Sequence, residues 1–192
     1  PLLERFAETQ GVTEITSIET GALLLVPHTM YKSYPLSAIE NNRFDRMTEW
    51  LDRLTAHDLS RVDASQAACI DDWIDAVDAQ SEVRIRHSSG TTGKLSLVPG
   101  SVGEEWLKVQ SFLRYLQGFG DEPDAGDIDV ADIADLPLIA FNHRKGAMSH
   151  ARSMDAMQRL VYGGDPSMII TSQPGRLSAD LLSLGGRLEG AQ

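Results

Sequence analysis

The chain has 192 residues, a length that fits one ordinary domain or two small ones. Its 42% hydrophobic and 23% charged residues are typical of a folded, soluble protein and exclude a disordered one. The chain has 17 Lys and Arg against 28 Asp and Glu, and its formal charge of -11 disfavours a nucleic-acid-binding protein. The single cysteine excludes an internal disulfide and a thiolate zinc cluster.

The sequence shows no membrane span and no signal peptide. No apolar run approaches the roughly 20 residues that a spanning helix needs. The first residues, Pro-Leu-Leu-Glu-Arg, lack the pattern of a secretory signal. We therefore expect a cytoplasmic protein.

Residues 1–82 are predicted to form a mainly helical region. A short apolar run at 22–26 predicts a buried strand that Pro27 ends. Apolar residues then recur at helical spacing in 41–54 and 70–77, which predicts two amphipathic helices. The segment 31–35, Tyr-Lys-Ser-Tyr-Pro, is expected to be ordered and to lie near the loop described below.

Residues 83–192 are predicted to form an α/β region with a mostly parallel sheet. Alternating apolar residues predict strands at 83–86 and 95–98, the second broken by Pro99 and Gly100. Ser101 and Glu104 form a capping box, which predicts the start of a helix. An acidic surface loop is predicted at 118–135. After it, the pattern predicts strand, helix, strand and helix at 136–141, 147–162, 168–171 and 177–184.

The loop between the first two of these strands carries most of the functional signal. Its residues are Ser88, Ser89, Gly90, Thr91, Thr92, Gly93 and Lys94. The glycines permit unusual backbone angles and expose N–H groups, and the hydroxyls and the ammonium add donors for triphosphate oxygens. It is not a Walker A loop, because Ser88 stands where the first glycine would be and Leu95 replaces the magnesium-binding hydroxyl. The alternative is a plain hairpin turn.

This loop resembles the phosphate-binding loop of the adenylate-forming superfamily, which includes acyl-CoA synthetases and adenylation domains. The family pattern continues with Pro and a second Lys, whereas this chain has Leu95 and Ser96. In lacking the second Lys, the loop resembles those of the phenylacetate-CoA ligase and acyl-protein synthetase branch. The resemblance implies that Ser88 to Lys94 bind the phosphates of ATP, with Mg²⁺ as counter-ion, while a carboxylic acid attacks the α-phosphate.

A second match lies at 136–146, where His143 is followed three residues later by Gly146. The resemblance implies that His143 lines an acyl pocket, and the alternative is an ordinary loop histidine after a strand. Arg144 and Lys145 are expected either to attract an acidic substrate or to be a solvated basic pair. The later family motifs for adenine, ribose and the catalytic lysine are not found between Gly146 and Gln192. The resemblance, which covers residues 83–175, therefore implies the N-terminal part of such a ligase, with CoA or a protein as acyl acceptor.

Other residues suggest no further chemistry. Cys69 shares a helical stripe with Ile70 and Trp73, which favours a buried hydrophobic role. The five histidines lack metal-ligand spacing. His87 adjoins the loop and is expected either to touch phosphate or to be structural. The competing functional hypothesis is a stand-alone, non-catalytic nucleotide- or acyl-binding module.

Overall fold

The computed structural model describes residues 27–90, 94–117 and 133–189, together with residues 11, 13, 14, 16, 17, 19 and 20. The strand predicted at 22–26 and most of the predicted acidic loop lie outside the described residues. The chain divides into two compact units, one of residues 1–100 and 179–192 and the other of residues 101–178. The boundary predicted after residue 82 separates a mainly helical region from an α/β region. It is defined by the type of secondary structure and not by compactness, and it stays a prediction.

The described part of the first unit contains most of the helices. It consists of a 3-10 helix (His28–Lys32), helices α1 (Leu36–Glu40), α2 (Phe44–Asp52) and α3 (Ile70–Gln80), strands β1 (Val83–His87) and β2 (Leu97–Ser101), and a later helix, α6 (Ala179–Glu189). The helical spacing at 41–54 and 70–77 is confirmed by α2 and α3. Each helix buries its apolar stripe, as amphipathic helices do.

The core of the first unit is built around Trp73 of α3. Its side chain is fully buried and stacks on Phe44 of α2 with ring centroids 6.5 Å apart. The indole N–H donates a hydrogen bond of 3.0 Å to the hydroxyl of Thr48. This hydrogen bond satisfies the one polar atom that the indole brings into the core.

Strands β1 and β2 form a two-stranded antiparallel sheet. Val83 and Ile85 of β1 are fully buried on either side of the half-buried Arg84, whereas Arg86 and His87 beyond them are buried too. Strand β2 lies further along the chain than predicted, and Pro99 is inside it rather than at its end. In a two-stranded sheet one edge of each strand needs no N–H donor, so proline is tolerated there.

Helix α6 is joined to α3 by reciprocal caps. The carboxylate of Asp180 accepts hydrogen bonds from the N–H groups of Ile70 and Asp71, at 2.8 and 3.0 Å. The carboxylate of Asp71 in turn accepts from the N–H of Ala179 at 3.1 Å. Each helix thus satisfies orphan donors at the start of the other.

The second unit contains helix α4 (Val102–Gln117), strand β3 (Leu138–Lys145), helix α5 (Ser149–Leu160), a 3-10 helix (Pro166–Met168) and strand β4 (Ile169–Arg176). The predicted capping box is confirmed. Glu104 N–H donates to the Ser101 hydroxyl at 3.2 Å, and Ser101 N–H donates to the Glu104 carboxylate at 3.4 Å. Helices α4 and α5 contribute to one apolar core, which includes Val109 of α4 and Met154 and Met157 of α5.

Strands β3 and β4 are parallel, with Leu138 paired to Ile169 and His143 paired to Gln173. Both extend further than predicted, through residues 142–145 and 172–176. These extensions are polar or exposed and pair through the main chain, so apolar alternation does not mark them.

The general α/β class is confirmed, but the predicted mostly parallel sheet is not: the described strands form two separate pairs, β1 with β2 antiparallel and β3 with β4 parallel. The crossover from β3 through α5 to β4 is the usual way to join parallel strands. Among the described residues, no helix has both the length and the apolar character to span a bilayer.

Candidate functional site

The loop that follows β1 is closed at its base by two hydrogen bonds. Ser88 N–H donates to the carbonyl of Ser96 at 3.1 Å, and Ser96 N–H donates to the Ser88 hydroxyl at 2.9 Å. Ser88, Ser89, Gly90 and Lys94 are therefore held in one loop. Thr91, Thr92 and Gly93, which the sequence also assigns to this site, lie outside the described residues.

Among the loop residues that the structure describes, Gly90 has a backbone that requires glycine. It is buried and has φ of +75°, in the left-handed region that other residues rarely adopt. A Cβ atom there would lie 2.9 Å from the Leu95 side chain and 3.3 Å from the Leu182 carbonyl of α6. The predicted role of glycine in giving this loop an unusual backbone is confirmed at this position.

Lys94 is half-buried at the far side of the loop. Its ammonium donates a hydrogen bond of 2.6 Å to the main-chain carbonyl of Tyr34 and lies 4.1 Å from the centroid of the Tyr34 ring. Burial lowers the pKa of the Lys94 ammonium. The site therefore holds a cation in a partly dehydrated place, where its interaction with an anion is stronger than in bulk water.

Leu95 fills the position where the family pattern has proline. Its side chain is fully buried, and its carbonyl accepts a hydrogen bond of 3.0 Å from the Tyr34 phenol. Leu95, directly after Lys94, is thus anchored in the core of the first unit. The expectation that segment 31–35 is ordered and lies near the loop is confirmed by these contacts of Tyr34.

His87 ends β1 at the base of the loop and is 3% exposed. Its Nδ1 lies 2.9 Å from the carbonyl of Ser88. Because a carbonyl oxygen accepts and never donates, this nitrogen carries the proton. The contact fixes the imidazole against the loop backbone.

His143, the predicted acyl-pocket residue, lies in the second unit and within β3, not in a loop after a strand as its alternative reading held. It is half-buried, and its Nδ1 is a buried atom with no hydrogen-bond partner among the described residues. The difference arises because β3 continues to Lys145.

The neighbours of His143 have separate roles. Arg144 is not a solvated cation: its guanidinium is bound to the carboxylate of Asp155 at 2.6 Å and also donates to Gln158. Lys145 is exposed. Gly146 has φ of +126°, and a Cβ there would lie 2.8 Å from the Leu177 carbonyl, so this glycine allows a tight crossing of two chain segments.

Cys69 is a helix cap rather than a fully buried hydrophobe. It precedes α3, is half-buried, and its sulfur accepts a hydrogen bond of 3.4 Å from the N–H of Asp72. Burial is the main cause that raises the pKa of this thiol to about 11, which disfavours a nucleophilic role. In the described part of the chain, no group of three or more His, Cys, Asp or Glu side chains is arranged to hold a metal ion.

Two contacts of these residues join distant parts of the chain, and the sequence specified the partners of neither. The contact of Lys94 with Tyr34 joins residues 60 positions apart, and that of Asp180 with Ile70 joins residues 110 apart. Neither pairing follows from local spacing. The expectation that segment 31–35 lies near the loop pointed to the first contact without naming Tyr34.

Comparison with known proteins identifies no family for the chain. No family model matches it, and no curated protein or solved structure shows significant similarity to it. The resemblance to adenylate-forming enzymes therefore depends on the residues of the loop and of the segment around His143, and it is taken below as a proposal.

Proposed function

We propose that the chain is the ATP-phosphate-binding portion of an acyl-adenylate-forming ligase, nearest the phenylacetate-CoA ligase and acyl-protein synthetase branch. The observation that carries the proposal is the loop from Ser88 to Lys94. It combines a closed base, a buried glycine at positive φ and a lysine at its far side. Backbone N–H groups of a loop together with a nearby ammonium are a recurring arrangement for binding phosphate.

The proposed reaction joins ATP and a carboxylic acid to give an acyl-adenylate and pyrophosphate. A carboxylate oxygen forms a bond to the α-phosphorus, and the bond from that phosphorus to the pyrophosphate oxygen breaks. The acyl group then passes to a thiol such as CoA, or to a protein acceptor, and AMP is released. The intact protein would thus be an acid–thiol ligase.

The loop residues bind and orient the phosphates in this scheme. Hydroxyls of Ser89, Thr91 and Thr92 and the N–H groups of Gly90 and Gly93 donate hydrogen bonds. Lys94 offsets the charge that accumulates on the departing pyrophosphate. These residues act by positioning and by electrostatic stabilisation, and no proton transfer is assigned to them.

Mg²⁺ is proposed as a companion of the bound nucleotide rather than as an ion held by the loop. Residues 88–94 include no carboxylate, so the loop itself offers Mg²⁺ no charged ligand. The ion would be held by phosphate oxygens and water, its usual partners in nucleotide sites. It would supply part of the charge neutralisation that Lys94 cannot supply alone.

His143 is proposed as a residue of the acyl pocket. The support is its half-buried place in β3 and the free hydrogen-bonding capacity of its buried Nδ1. An imidazole of this kind can accept or donate a hydrogen bond to a polar group of the acid substrate. The choice of acid would then depend on the surroundings of this strand.

The test is acid-dependent exchange of labelled pyrophosphate into ATP by the native protein. Lys94→Ala and Thr92→Ala are each expected to slow exchange by at least about tenfold, which corresponds to about 1.4 kcal/mol. Lys108→Ala removes a surface lysine of α4 and is the matched control; it should leave the rate unchanged. Full exchange by both loop variants would contradict the proposal.

ATP binding without any exchange, abolished by Lys94→Ala, would favour the alternative of a non-catalytic nucleotide-binding module. In that case the phosphate-binding role of the loop would stand and the ligase reaction would not.

A further inference from the structure

Tyr34 contacts the loop lysine and its neighbour through three different groups. Its main-chain carbonyl accepts the hydrogen bond from the Lys94 ammonium at 2.6 Å. Its ring lies against the same ammonium, 4.1 Å from centroid to nitrogen. Its phenol donates to the carbonyl of Leu95 at 3.0 Å. One residue, distant in sequence, thus holds both the charge and the adjoining backbone.

Tyr34 is itself held firmly. It is 2% exposed, and Trp50 of α2 packs edge-on against its ring with centroids 5.3 Å apart and planes at 74°. The indole N–H of Trp50 donates to the Ser33 hydroxyl at 3.0 Å, and that hydroxyl donates to the Met30 carbonyl at 2.7 Å. Ser33 and Tyr34 are therefore held in place by the core of the first unit.

A lysine held in this way differs from a lysine on a flexible surface. An ammonium has three N–H donors, and the bond to the Tyr34 carbonyl uses one. The ring attracts the cation without using a donor. Freezing a free lysine side chain costs conformational entropy, and prior ordering removes part of that cost from ligand binding. Within the described part of the chain the Lys94 ammonium has no second hydrogen bond, so its remaining donors can bind phosphate oxygens.

We propose that Tyr34 is a positioning residue for Lys94, and that its ring and carbonyl hold the ammonium in place to bind the triphosphate. The inference rests on the proposed function of the loop. It adds a residue from segment 31–35, outside the loop, to the phosphate site. It also assigns a role to an aromatic ring at that position that a purely aliphatic residue would not perform.

The test is a double-mutant cycle on the dissociation constant of ATP–Mg²⁺, measured by NMR titration of the whole chain. Tyr34→Leu, which removes the ring, is expected to weaken binding about fivefold. Tyr34→Phe keeps the ring and should restore affinity to within about twofold. In the Lys94→Ala background, Tyr34→Leu should cause almost no further loss, since its effect passes through the ammonium.

The outcomes separate the two proposals. No binding by the wild-type chain, or unaltered binding by Lys94→Ala, would overturn the proposed function and this inference with it. Normal binding by Tyr34→Leu would overturn the inference alone. An equal loss from Tyr34→Leu with and without Lys94 would also overturn it, because the effect would then come from the fold. Tyr162→Phe removes the same kind of hydrogen bond, from phenol to the Leu136 carbonyl at 2.9 Å, and is the control expected to bind normally.

If Tyr34→Leu does not fold, a measurement on the unaltered chain tests the positioning role of Tyr34 instead. The chain has four lysines, and Lys94 is the one that lies over the Tyr34 ring. The ε protons of Lys94 should show an upfield ring-current shift that persists when the chain is saturated with ATP–Mg²⁺. A shift that is absent, or that disappears on saturation, would mean that Tyr34 does not hold the lysine in the bound state and would overturn the inference.

Discussion

The aromatic core of the first unit and the β3–β4 strands of the second unit bury their large apolar side chains to different extents. In the first unit Tyr34, Trp50 and Trp73 are at most 4% exposed, and each also has a hydrogen bond for its polar atom. In the second unit Phe141 of β3 is 88% exposed and Ile170 of β4 is 48% exposed. Parallel strands are usually covered on both faces. The exposed face of this sheet therefore adds little stability to its unit, whereas the aromatic core supports the loop directly.

The largest expected effect contrasts two tryptophans. Trp73→Ala in the first unit should lower the free energy of unfolding by about 3–5 kcal/mol, because it leaves a cavity and removes the hydrogen bond that the Thr48 hydroxyl accepts. Trp106→Ala on α4 should cost less than about 1 kcal/mol, since the side chain is 40% exposed. Hydrogen exchange of α3 and α5 amides reports each unit separately. Equal losses from the two substitutions would contradict the contrast.

The next effect contrasts two helix caps. Asp180→Ala removes the acceptor of two N–H groups of α3 and should destabilise the first unit by about 1–2 kcal/mol. Ser101→Ala removes a cap made within one turn of α4 and should cost about 1 kcal/mol in the second unit. Urea unfolding of each variant measures the losses. If Asp180→Ala were neutral, the joining of α3 and α6 by caps would have no energetic importance.

A smaller effect concerns pH and the second unit. Burial first, and then the nearby His143, lower the pKa of His150, while a hydrogen bond to the His143 backbone opposes this. The unfolded chain therefore takes up this proton at a higher pH than the folded chain. Stability should fall as pH drops below the ordinary histidine pKa of about 6.5, where the unfolded state gains protons first.

His150→Gln should reduce that fall in stability, and His28→Gln, at an exposed position, should not. Thermal unfolding between neutral and mildly acidic pH measures the difference. An identical pH dependence in His150→Gln and the wild type would show that this imidazole is not responsible.

The smallest expected effect is at the exposed sheet face. Phe141→Thr should change the free energy of unfolding by less than about 0.5 kcal/mol, because little apolar surface is buried there and threonine suits a strand. Urea unfolding provides the value. A loss above 2 kcal/mol would mean that the face is covered in solution, and the contrast between the units would then fail.

Local pattern predicted much of the fold, because many helices and strands here follow from short-range rules. Helices α2 and α3 follow from apolar spacing, and the start of α4 follows from Ser101 and Glu104. Strand ends were less predictable: β3 continues through the polar residues 142–145 because main-chain pairing needs no apolar side chain. The interior position of Pro99 in β2 depends on how many strands the sheet has, which no local pattern reveals.

The candidate site shows the same division. The loop and its lysine stand out in the sequence because seven polar or glycine residues occur together. The contacts of Lys94 with Tyr34, and of Gly90 with Leu182, join segments far apart in the chain. Such contacts depend on how helices and strands pack, so the sequence indicated that segment 31–35 lies near the loop without assigning it a role.

The most direct measurement is an amide-resolved NMR titration of the isotope-labelled chain with ATP–Mg²⁺. The proposed phosphate site predicts saturable shifts at Ser88, Ser89, Gly90 and Lys94, and the loss of those shifts in Lys94→Ala at the same nucleotide concentration. Shifts that are absent from the loop, or that persist unaltered in Lys94→Ala, would contradict the assignment of this loop as a phosphate site.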